Sequence, residues 1–78
     1  MIQASQIKEH MEVIGADGRH IGRVDHIKGN EIELAKFDFG AGLRHHLVPM
    51  TWVDDIEDEK VRLTMTMDEA KAAWRIKH

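Results

Sequence analysis

The residues with the widest chemical repertoire in this chain are its histidines. Six of its 78 residues are histidine, at positions 10, 20, 26, 45, 46 and 78. Neutral imidazole is a ligand for transition metals, and its proton exchanges closest to neutral pH. His20, His26, His45 and His46 are the candidate ligand-binding or metal residues. Their spacing limits how they cooperate. His45 and His46 are neighbours and point to opposite faces of a regular strand. His20 and His26 share parity but lie about 20 Å apart along an extended chain. Convergence therefore requires different strands, and parity suggests His26 with His46, or His20 with His45. Asp25 has the wrong parity in a regular strand to join them. The competing reading keeps His26 or His46 buried and neutral without metal, with stability falling below about pH 6 as it is forced to protonate.

Other chemistries find weaker support. The run Asp54-Asp55-Ile56-Glu57-Asp58-Glu59 has the charge for calcium but lacks the glycine turn and ligand spacing of an EF-hand, and reads as a solvated strand end. Gly40-Ala41-Gly42 has no following lysine or helix start and reads as a connection between strands, not a phosphate cradle. The only serine, Ser5, lies near a terminus. With no cysteine, thiolate zinc sites, disulfides and cysteine nucleophiles are excluded. These features point away from an enzyme and from a bound cofactor.

The elements that must position these residues are short. Six glycines and a single proline, Pro49, punctuate the chain. Strands are expected at Glu12–Ile14, Ile21–Lys28, Glu31–Leu34, His45–Pro49, Val53–Glu57 and Lys60–Thr64. Asp17-Gly18 signals a hairpin whose two central residues take positive φ. The spacing of Ile21, Val24 and Ile27 departs from alternation and calls for a bulge or burial on both faces. The period then changes. Thr66 with Glu69 forms a capping-box pattern, and Met67, Ala70, Ala73 and Trp74 share one face of a helix over about 67–76. The core is expected to gather Val24, Ile32, Leu34, Val48, Trp52, Val61 and Leu63. The 78 residues make one domain, a small antiparallel β-barrel of five or six strands over about 10–65 with a C-terminal α-helix.

Several segments carry a resemblance: His10-Met11-Glu12-Val13, Asp17-Gly18-Arg19-His20-Ile21-Gly22-Arg23-Val24-Asp25-His26, His45-His46-Leu47-Val48-Pro49 and Trp52-Val53. Together they resemble an uncharacterised family of short bacterial proteins similar to the PRC-barrel superfamily. That superfamily includes the cytoplasmic domain of the photosynthetic reaction-centre H subunit and the C-terminal domain of a ribosome maturation factor. The resemblance spans about residues 5–65. It implies a small, strongly bent β-barrel that binds other proteins and is not an enzyme. The segment Phe37-Asp38-Phe39-Gly40-Ala41-Gly42 departs from it, with two aromatics where polar residues are expected.

These features converge on a non-catalytic PRC-barrel-like protein-binding or adaptor module, with a histidine-based metal or small-ligand binder as the alternative. Phe37, Phe39, Met67 and Trp74 are the candidate partner-binding residues, and two apolar surfaces on so small a domain suggest a homodimer. Net charge is −3 with histidine neutral, and Lys and Arg are scattered, so nucleic acid is not the expected partner. No apolar run reaches the roughly 20 residues of a membrane span, and the N-terminus lacks a signal-peptide pattern. The expected location is cytoplasmic.

Overall fold

The computed structural model describes residues 4–35 and 45–76. The protein is mostly β, with one helix near the C-terminus. A short 3-10 turn, Ala4–Gln6, precedes β1 (Glu12–Ile14), β2 (His20–Lys28), β3 (Glu31–Leu34) and β4 (His46–Pro49). A second 3-10 turn, Met50–Trp52, leads to β5 (Val53–Glu57), β6 (Lys60–Leu63), α1 (Met67–Ala73) and β7 (Arg75–Ile76). The strands form one sheet in the order β5-β6-β1-β2-β3-β4-β7. Every pairing is antiparallel except β1 with β6, which is parallel, so the sheet is mostly antiparallel. Among the described residues the sheet is not closed into a barrel: β5 pairs only with β6, and β7 only with β4.

The nine-residue β2 holds the sheet together, pairing with β1 through its first half and with β3 through its second. Its register slips twice. Ile14 lies opposite His20 while Val13 lies opposite Gly22, so Ile21 is an inserted residue. Val24 lies opposite Leu34 and His26 opposite Glu33, so Asp25 is a second. These bulges account for the three-residue apolar spacing along β2.

Val13, Ile21, Val24, Ile32, Leu34, Val48, Val61, Leu63 and Ala70 have at most 1% of their surface exposed and pack as one core, with Ile7. Trp52, expected among them, is only partly buried and packs against their edge.

The first hairpin differs from the two-residue turn that Asp17-Gly18 suggested. Gly18 N–H donates to Gly15 O at 2.9 Å, Gly15 N–H to Arg19 O at 2.9 Å, and only Gly18 takes a left-handed φ, of 81°. The primed geometry appears instead at Asp58 and Glu59, with φ of 49° and 62°, between β5 and β6.

The expected start of α1 is present. Thr66 Oγ1 accepts from Glu69 N–H at 3.3 Å, and Glu69 Oε1 accepts from Thr66 N–H at 2.9 Å. Asp17 Oδ1 accepts from Met67 N–H at 3.4 Å, tying the first hairpin to the helix. The C-terminal end is corrected: the helix stops at Ala73, not near residue 76. Trp74 is extended (φ −67°, ψ 160°), and residues 75–76 pair with β4. Pairing with the β4 edge occupies backbone groups that helix elongation would otherwise use.

Candidate functional site

Glu33 is the most unusual polar residue of the sheet. It lies on β3 between Ile32 and Leu34, and all three are buried. Ile32 and Leu34 face the core, so alternation sends Glu33 to the opposite face, where it still has only 2% exposure. Its cross-strand neighbours are His26 on β2 and Leu47 on β4. His26 Nε2 lies 3.7 Å from Glu33 Oε1, and His45 Nδ1 lies 3.4 Å from Glu33 Oε2. His45 directly precedes β4, and its Nδ1 is also 2.9 Å from Leu34 O, an acceptor that makes this nitrogen the ring donor.

Asp25 completes the cluster. Its Oδ2 is 3.7 Å from His26 Nδ1 and 3.9 Å from His45 Nδ1. The ligand atoms of Asp25, Glu33 and His45 all lie within 4.8 Å of one another. Strict parity excluded Asp25; the β2 bulge brings it in, because an inserted residue resets which face the next side chains occupy. Burial increases inward through the cluster. The side chains of His26 and Asp25 are 44% and 43% exposed, that of His45 29%, and that of Glu33 2%. His26 also lines an open groove with Ile7, Lys8, Glu9, Val24 and Ile27.

The four candidate histidines therefore assemble differently from the parity pairs. His26 and His45 meet across Glu33. His20, near the far end of β2, donates from Nδ1 to Glu12 Oε2 at 2.8 Å, and Lys60 Nζ lies 3.8 Å from Glu12 Oε1. The His20 hydrogen bond and these cationic neighbours hold the Glu12 carboxyl below its usual range, against the opposing effect of burial. His46 faces the core with 5% exposure and stacks on Trp74, ring centroids 3.9 Å apart and planes 22° from parallel. One of His26 and His46 is thus buried, and it is His46.

The remaining candidates fall as follows. Met67 and Trp74 pack against the core of their own sheet, and both are partly buried. Phe37 and Phe39 lie outside the described residues. Sequence reasoning did not select Glu33, which sits in the alternating Glu31-Ile32-Glu33-Leu34 and reads there as a solvated position. The available signal was Asp25-His26 next to the irregular apolar spacing of β2.

Fold and site together define a small β protein with a bulged central strand and a histidine–carboxylate cluster on the face opposite its core. The chain belongs to the DUF2171 family, described as an uncharacterised protein conserved in bacteria, whose pattern matches residues 7–71. No curated protein and no solved structure matches it. Among the described residues no helix is long and apolar enough to cross a membrane.

Proposed function

We propose that this protein is a non-catalytic, PRC-barrel-like binding module of the cytoplasm whose ligand centre is Asp25, His26, Glu33 and His45. The observation that carries this reading is a carboxylate of 2% exposure set between two imidazoles at 3.4 and 3.7 Å. Removing an ion from water costs several kcal/mol, and a well-packed apolar side chain is often as stable or more so at such a position. Keeping a carboxyl side chain at Glu33 is therefore better explained by something the cluster holds than by stability. An open groove lies beside His26.

A second reading, as a protein adaptor, draws support from β5. This five-residue strand has one neighbour in the sheet and exposes Asp54, Asp55 and Glu57. Such an edge suits an extended basic segment of a partner protein. The same acidic edge repels a second copy of itself, so a homodimer would have to use another face.

Nitrogen–proton correlation spectra of the labelled protein test both readings, with divalent cations, small organic acids and a basic peptide as additives. Shifts concentrated at residues 25–26, 33 and 45 support the ligand centre. Shifts confined to residues 53–57 support the adaptor reading and refute the first. Silence at both refutes both. Light scattering at the 9.0 kDa monomer mass, independent of dilution, removes the homodimer.

A further inference from the structure

Resting on the ligand-centre reading, we infer that Asp25, Glu33 and His45 bind a divalent transition-metal ion of the zinc class, with His26 as fourth ligand.

Spacing is the first argument. The nitrogen–oxygen separations in the cluster are 3.4, 3.7, 3.7 and 3.9 Å. Good N–H···O hydrogen bonds fall at about 2.7–3.2 Å, so these four pairs are ion-pair contacts longer than direct hydrogen bonds. Zinc holds nitrogen and oxygen ligands at about 2.0–2.2 Å, which makes the edge of its tetrahedron roughly 3.4 Å. The ligand atoms of Asp25, Glu33 and His45 lie within 4.8 Å of one another, and His26, whose Nδ1 faces Asp25 and whose Nε2 faces Glu33, would ligate through one of the two. The cluster must therefore close by up to about 1.4 Å along an edge to form such a shell.

Charge is the second. Two carboxylates with two neutral imidazoles carry −2, which one divalent ion cancels. An imidazole nitrogen must be free of its proton to ligate, so metal and protons compete. Among the described residues, Lys8 and Glu9, one cation and one anion, line the groove beside His26. The ligand chemistry is selective: two imidazoles with two carboxylates suit zinc, nickel or cobalt better than calcium, which takes six to eight oxygens.

Position is the third. The donors sit on β2, on β3 and at the entry to β4, three adjacent strands of one sheet. Asp25 is set by a bulge and His26 by its cross-strand pairing with Glu33. His20 and His46 are engaged elsewhere, with Glu12 and Trp74. Binding costs the His45 Nδ1 hydrogen bond to Leu34 O: that nitrogen must lose its proton and the ring must turn so that its lone pair faces the ion.

Calorimetric titration of the intact, untagged chain with zinc chloride tests this, at about pH 7.5 and about pH 6 and in two buffers of different ionisation enthalpy. We expect one zinc per chain, release of at least one proton, and affinity at least about tenfold weaker at the lower pH. Glu33→Gln and His45→Ala should each weaken binding by at least about tenfold, and His20→Ala by less than about twofold. If Glu33→Gln fails to fold, the more exposed Asp25→Asn takes its place. Cobalt should give the intense visible absorption of a tetrahedral site. The inference is overturned if zinc shows no saturable binding below about 100 µM, or if affinity survives Asp25→Asn and His45→Ala but falls in His20→Ala. If zinc fails while an organic acid still shifts residues 25, 33 and 45, only the metal assignment falls. If neither binds, the ligand-centre reading falls with it.

Discussion

Removing the Trp74 ring asks how the C-terminal segment is held. Helix α1 has only seven residues, too few to be stable alone in water, so its persistence depends on docking. Ala70 is fully buried, Met67 packs at the edge of the core, and Trp74 stacks on His46 at 3.9 Å. A half-buried indole removes about 100 Å² of apolar surface from water, worth about 2.5 kcal/mol at roughly 25 cal/mol per Å². Ring stacking adds about 1 kcal/mol beyond area. Trp74→Ala should therefore cost about 3 kcal/mol, out of a total near 5–10 kcal/mol for a domain of this size. With a urea slope of about 1 kcal/mol per molar, the midpoint should fall by about 2–3 M. Trp52 remains as the fluorescence reporter. A double-mutant cycle with His46→Ala should return a coupling of about 1 kcal/mol. A midpoint shift under about 0.5 M, or no coupling, would refute the reasoning and free the Trp74 surface for a partner in another molecule.

Other substitutions probe the turns, the helix contact and the charges. Replacing Asp58-Glu59 by Asn-Gly should stabilise the protein by about 1 kcal/mol in chemical melts, because both positions take positive φ, which Asn and Gly adopt at lower cost. Gly15→Ala should destabilise by about 1–3 kcal/mol, since an added Cβ would lie 2.6 Å from Met67 N and 3.0 Å from Thr66 C; an unchanged melting temperature would mean the helix start can move away. Thr66→Ala should cost about 1 kcal/mol through loss of the capping box, read as a lower urea midpoint. Glu12 has a lowered folded-state pKa, so its contribution to stability is present above its ordinary value of 4.5 and is lost as pH falls through the lowered one. Melts of wild type and Glu12→Gln should converge at the acid end of that window, and a constant gap across it would sink the assignment.

Much of this molecule was legible from residue order alone. Glu31-Ile32-Glu33-Leu34 and Lys60-Val61-Arg62-Leu63 alternate, and alternation is a property of a single strand. Thr66 and Glu69 cap a helix through contacts three residues apart. Gly29 and Gly18 mark turns through their own φ preference. These are local effects, so the strand positions, the capped helix start and most core residues could be read without a partner strand in view. Even the bulges of β2 left a trace in the spacing of Ile21 and Val24. What stayed hidden depends on which strand lies beside which. The parallel pairing of β1 with β6 joins segments almost 50 residues apart, and no periodicity in either one encodes it. The helix stops at Ala73 because β4 offers an edge to residues 75–76, a competition invisible in the helical stripe itself. Glu33 looked solvated because its strand alternates correctly; sheet order brings His26 of β2 and His45 at the β4 entry against it, and it is buried. Asp25 looked misdirected because parity assumes a regular strand, and a single inserted residue turns it toward the histidines. Sequence spacing reports the geometry of one segment. The candidate site is made from three, and their mutual register is a property of the folded sheet.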